Sequence, residues 1–385
     1  MLDQLLAQFT EDMLPGCALV VSRHGEVIYE GYYGWANLER RKPIAPDTVY
    51  RIFSMTKVVV CTAALMLYER GKFLLHDPLA EYIPEYGRPL VARTKPDGSV
   101  ELEPAQNPIL IQHLFCMSSG LPYHFGESES ERQMRRVLDE LEQTHGVYDI
   151  QTEVKAMAAV PLAFEPGTSW MYGYSHDVLG ALIEVVSGKT LGRFLQEEIF
   201  EPLGMKDTGY RFRGDIADRM ASVYQRTEDG RLEEVPGALD QHHQPGAKRE
   251  SGGVGLYSTA RDYTAFTQML ASGGRLNGET IFGRKTIELM RRNHLSDEQM
   301  RAYTHANGHR NGYGYGLGVR TLIDPAEGGI NGSIGEFGWG GAAGTWMAAD
   351  PVEDMSIVYM QQMFPSIHDR YVHPRVRNAV NACMG

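Results

Sequence analysis

Four cysteines in 385 residues are too few to staple a fold, and none stands in a Cys-x-x-Cys pair. Cys61 and Cys116 lie inside apolar runs, where a thiol packs as a small hydrophobe. With Cys17 and Cys383 they are expected to be reduced and structural. Basic residues are in deficit: 37 Lys and Arg against 49 Asp and Glu leave a net charge of −12. That argues against the basic face which nucleic acids and anionic membranes require. No apolar stretch approaches the roughly 20 residues that span a bilayer. The first 16 residues are acidic with amphipathic-helix spacing and lack the basic start, apolar centre and cleavage site of a secretory leader. The expected location is cytoplasmic. HExxH, GxGxxG and P-loop patterns are missing. His242-His243 stands in a polar loop with no third ligand at metal spacing, so neither a metal nor a cofactor is expected.

What is present is an ordinary globular composition, 43% apolar and 22% charged, with no bias towards disorder. The length suits one large domain, or one domain carrying a big insertion. Apolar and polar residues alternate on both sides of His24-Gly25, which predicts a β-hairpin. A second hairpin is predicted over residues 344–362, turning at Asp350-Pro351, with a final helix at about 370–383. Strands near both ends of a chain usually share a sheet. Between them, residues 58–70 read as a helix ended by Gly71, and helical patterns recur around 130–160, 177–187 and 191–203. The segment 87–108 carries a Pro-Asp-Gly turn, and 226–250 is polar. The expected organisation is an α/β body made of residues 1–70 and 250–385, with a mostly helical region, 71–249, inserted.

Chemistry concentrates in three segments. In the first, Ser54 sits where an extended segment meets an apolar helix, and Lys57 follows three residues later on the same helical face. A serine hydroxyl is a poor nucleophile until a base takes its proton. Burial and the positive end of the helix dipole both favour the neutral, basic form of such a lysine. Ser-x-x-Lys is a weak pattern that chance supplies about once in a chain of this length, and a structural ion pair is the plain alternative. Context favours function, because Lys57 opens a helix that is apolar or small from Val58 to Tyr68 except for Thr62. The second segment runs from Glu165 to Gly180 and carries Trp170, Tyr172 and Tyr174. A tyrosine on such a loop can act as a base beside a cation such as Lys57; alternatively, these rings simply pack. The third, Gly335 to Thr345, is dense in glycine and leads into a strand. Backbone can approach a substrate closely there, and Ala342 N–H with Ser54 N–H could hold an oxyanion. Such donors are commonly worth about 2.7–4 kcal/mol each.

Together the three segments resemble the serine β-lactamase and penicillin-binding-protein superfamily, and within it the β-lactamase-like carboxylesterases (family VIII esterases). Its Ser-x-x-Lys matches Ser54 to Lys57, its tyrosine after Pro-Gly-x-x-Trp-x matches Tyr172, and its third element matches Trp339-Gly340-Gly341. Residues 111–122, 202–205 and 251–260 also read like family segments. The resemblance implies a β-lactamase/transpeptidase-like α/β (α+β) fold: an antiparallel sheet flanked by helices plus an all-helical region, with the active site between. It implies acylation of Ser54 with proton transfer through Lys57 and Tyr172, and no cofactor. The partner would be a small-molecule acyl substrate, an ester or a β-lactam. Met55, Tyr123, Tyr174, Trp339, Gly340 and Gly341 are the candidates to line the acyl pocket.

Two departures from the penicillin-recognising members direct the choice of substrate. Tyr174 stands where they carry an asparagine, and Trp339 where they carry the lysine that attracts a substrate carboxylate. A neutral ester loses nothing by either change. A small-ester hydrolase is therefore the expectation, with β-lactamase or D,D-peptidase activity as the alternative, and an acyl-transferring or non-catalytic relative behind both. The sequence fixes no oligomeric state.

Overall fold

The computed structural model describes residues 1–237, 240–308, 311–366 and 369–383. Its frame is one eight-stranded, wholly antiparallel sheet. The strands are β1 (Gly16–Arg23), β2 (Glu26–Asn37), β3 (Lys42–Pro43), β4 (Tyr313–Tyr315), β5 (Arg320–Leu322), β6 (Phe337–Gly338), β7 (Trp346–Asp350) and β8 (Met355–Gln361). They lie in the order β4-β5-β6-β7-β8-β1-β2-β3. The first hairpin turns where expected: His24 and Gly25 both take positive φ, 54° and 80°, the pairing that matches strand twist across a two-residue turn. The second runs from Asp350 to Met355.

Alternation along β1 divides two cores. Ala18 and Val20 enter the main one. Cys17, Leu19 and Val21 enter a second, closed by Leu2, Leu6 and Phe9 of helix α1 (Leu2–Asp12) and by Val372, Val376 and Val380 of the C-terminal helix (Asp369–Ala382). Successive side chains of a strand point to opposite faces, so β1 is buried on both sides and reads as a near-continuous apolar run. Helix α2 (Thr56–Glu69) fills the main core. Every residue from Thr56 to Leu67 is buried, and Gly71 ends the helix at φ 66°.

The main core continues through Leu114, Val154, Leu182 and Phe194. The pattern at 130–160 is two helices, Glu129–His145 and Ile150–Met157, divided at Gly146. Ser128 and Glu131 form a reciprocal cap on the first, which satisfies N-terminal amides. Helix α3 (Ser175–Ser187) follows, and the pattern at 191–203 passes through a π turn at Gln196–Phe200. Two small hairpins also occur here, Leu90–Thr94 with Val100–Pro104 and Val223–Arg226 with Leu232–Val235. Tyr224 of the latter packs in the second core beneath the sheet. All four cysteines are free thiols. No helix of the described residues is long and apolar enough to cross a membrane.

Candidate active site

Ser54 lies in a 3-10 turn, Phe53–Met55, between the short strand Val49–Arg51 and α2. Phe53 takes φ 44°, a left-handed conformation that a bulky side chain adopts only when its surroundings enforce it. They do so from several directions. The Phe53 ring stacks on Phe364 at 5.8 Å, Gln362 Nε2 donates to the Arg51 carbonyl at 3.1 Å, and Tyr263 Oη donates to the Met55 carbonyl at 2.8 Å. Ser54 is thereby presented at 8% exposure on a cavity of about 790 Å3.

In the first turn of the helix, Lys57 is fully buried. Its Nζ donates to Ser54 Oγ at 3.1 Å and to the Gly253 carbonyl at 2.7 Å. Among the described residues no carboxylate comes within ion-pair distance of it. It lies 4.7 Å from the centre of the Tyr172 ring and 5.8 Å from that of Tyr123. Beyond it His176 is also fully buried, and its pKa is lowered to about 3 by burial and then by Lys57. The site thus sets the Lys57 amine beside a neutral imidazole.

Tyr172 arrives on the loop before α3, where Gly173 is needed because a side chain there would meet the Leu121 carbonyl at 2.0 Å. Its hydroxyl accepts a hydrogen bond from Trp339 Nε1 at 3.0 Å. The third segment closes against Ser54 through glycine as well. A Cβ at Gly341 would stand 2.4 Å from the Ile52 carbonyl, and Thr345 Oγ1 donates to that same carbonyl at 3.3 Å. Ser54, Tyr172, Trp339, Gly340, Gly341 and Ala342 therefore share the lining of one cavity.

Two expected pocket residues are elsewhere. Met55 is fully buried in the main core and does not line the cavity. Tyr174 packs with Met134, Met157 and Val160 in a satellite cluster, its hydroxyl 2.6 Å from His124 Nδ1. Tyr123 touches the site from the side, its ring 5.6 Å from that of Tyr172. Burial, and then Tyr172, push its phenol well above the ordinary range.

Sequence reasoning missed the groups behind Lys57. Asp177, 2% exposed, accepts from Ser251 Oγ at 2.5 Å and Gly253 N at 3.2 Å, and the buried Glu153 pairs with Arg249 at 2.8 Å. The signals were an acid in the first turn of α3 and the Ser-Gly-Gly run at 251–253. Nothing local joins the two. No cluster of metal-ligating side chains occurs among the described residues.

The chain is similar to known proteins over nearly its whole length. Protein Rv1367c of Mycobacterium tuberculosis is 32% identical over 359 residues, covering 92% of this chain and 87% of that protein. Esterase EstB of Burkholderia gladioli is 30% identical over 376 residues, covering 91% and 86%. The structure of simvastatin synthase LovD from Aspergillus terreus superposes with a TM-score of 0.85 over 99% of this chain and 97% of that one. Its 23% identity makes it a likeness of fold. The Beta-lactamase family pattern matches residues 2–382, so the chain belongs to the β-lactamase family.

Proposed function

We propose that the chain is a serine hydrolase which forms an acyl-enzyme on Ser54 and hydrolyses small carboxylic esters. The observation that carries this reading is the 3.1 Å contact between Lys57 Nζ and Ser54 Oγ in a cavity walled by Tyr172 and Trp339. The relationship to an esterase supports it.

In the first half-reaction the Ser54 O–H proton passes to the Lys57–Tyr172 pair as Oγ bonds to the ester carbonyl carbon. The carbonyl electron pair moves onto oxygen, where the N–H groups of Ser54 and Ala342 would receive it. The tetrahedral species collapses, the proton goes to the departing alkoxide, and the alcohol leaves. Water then repeats the sequence on the acyl-enzyme, with the same pair taking and returning a proton. An active-site phosphonate should add once to the chain, and peptide mapping should find it on Ser54. Labelling that survives Ser54→Ala refutes the assignment.

A further inference from the structure

Among the buried titratable groups that this chemistry leaves unused, Asp177 is the one set against the base. It stands in the first turn of α3 and is 2% exposed. Its Oδ1 accepts from Ser251 Oγ and from Gly253 N, and the carbonyl of that same Gly253 accepts from Lys57 Nζ at 2.7 Å. A Cβ on Gly253 would lie 2.7 Å from Asp177 Oδ2 and 3.4 Å from Lys57 Nζ. One residue therefore separates the carboxylate from the amine. Gly252 makes the approach possible, since a side chain there would meet the His176 carbonyl at 2.1 Å.

We propose that Asp177 is a positioning residue for Lys57: it aims the Gly253 carbonyl at Nζ and supplies the countercharge for the ammonium that forms when Ser54 gives up its proton. The proposal rests on the reading of Lys57 as base. In that step the Ser54 O–H bond breaks, the proton bonds to Nζ, and positive charge appears on Lys57 as negative charge appears on the substrate oxygen. The proton goes to Nζ and not to Asp177, just as the carboxylate of a Ser-His-Asp triad takes none from its imidazolium.

The other charged and titratable groups around the pair leave this role to Asp177. Glu153, from the helix Ile150–Met157, is neutralised by Arg249 at 2.8 Å. His176, the next residue on α3, is uncharged down to about pH 3. Tyr123, Tyr174, Tyr86 and Tyr210 all feel the field of Asp177, and burial holds each phenol neutral. Asp177 is therefore the carboxylate that faces Lys57 through Gly253.

The test is the rate of phosphonate labelling of Ser54 against pH, with the thermal midpoint of each variant as a check on folding. Asp177→Asn keeps the shape and removes the charge. It should label at least about tenfold more slowly at its optimum and move the acid limb of the profile to lower pH, because the conjugate acid of the pair is no longer held by a carboxylate. KM for p-nitrophenyl butyrate should stay within about twofold. Ser251→Ala, which loosens the carboxylate but leaves its charge, should lower the rate and keep the limb in place. A folded Asp177→Asn protein with the wild-type rate and limb overturns the proposal. Should that variant not fold, Ser251→Ala decides: it removes a donor to the carboxylate without touching Lys57, so slower labelling supports the role and wild-type labelling overturns it. Failure of the wild-type chain to label at Ser54 refutes the nucleophile assignment instead, and the two failures are thereby told apart.

Discussion

The Trp339 indole N–H donates to the Tyr172 hydroxyl across 3.0 Å, so the ring that stands in place of a cation is tied to the tyrosine beside Lys57. The Tyr174 hydroxyl, by contrast, is engaged with His124 in a separate cluster. Tyr172→Phe should therefore cost several orders of magnitude in turnover, as should Lys57→Ala, since members of a coupled unit do not replace one another. Tyr174→Phe should cost far less. Steady-state kinetics on p-nitrophenyl butyrate separates the cases, and a larger loss at Tyr174 would place the base two residues from where it is assigned.

The same indole bears on substrate choice. It cannot offset the desolvation of a carboxylate, but it can bury an acyl chain at about 25 cal/mol per Å² of apolar surface. For short neutral esters kcat/KM should exceed that for penicillins and cephalosporins by at least roughly 100-fold, or about 2.7 kcal/mol. Nitrocefin, with its activated ring, is expected to turn over slowly. A preference for ordinary penicillins over butyrate esters would reverse the conclusion.

Histidines withdrawn from water set a pH dependence of stability, half-buried His113 and fully buried His176 among them. Burial lowers His113 to about 4, with His76 adding to the effect, and lowers His176 to about 3, with Lys57 adding to it. Above pH 6.5 neither folded nor unfolded chain is protonated at these sites, and their contribution is constant. As pH falls from 6.5 towards 4 the unfolded chain takes up protons that the fold refuses, so stability drops by up to about 1.4 kcal/mol per pH unit for each histidine. Urea melts between pH 7 and 4.5 should show that slope. His176→Gln should flatten it by about one proton, whatever it does to the absolute midpoint.

Glu153 and Arg249 form a nearly buried pair, with side chains 2% and 13% exposed. Arg249→Met strands the carboxylate and should destabilise by about 3–5 kcal/mol. Adding Glu153→Leu should recover most of the loss. If the double variant is no more stable than the single one, packing and not charge holds the pair in place.

Legibility followed distance along the chain. The His24-Gly25 turn and the Ser54 to Lys57 spacing are settled by neighbours a few residues apart, and both were readable. Trp339-Gly340-Gly341 was readable through the family pattern, and the close approach of Gly341 to Ile52 gives its physical reason. Met55 and Tyr174 do not line the cavity, since proximity in sequence is not proximity of side chains: Met55 is buried in the main core and Tyr174 packs behind Tyr123. The hairpins at 90–104 and 223–235 went unread because their strands are only four or five residues long, too short for a period to show. Asp177 was invisible because its partners come from a loop about 75 residues away.

Strand β1 pairs with β8, Cys17 lying opposite Gln361. A ribosome adding about 5–20 residues per second delivers β8 roughly 20–70 s after β1. Throughout that wait β1 has β2 and the short β3 on one side and helix α1 on one face, while its other edge stays open to any other strand. The nascent chain therefore needs its early hairpin shielded until synthesis is nearly complete, and soluble yield in a recombinant host should depend on how long that edge is left waiting.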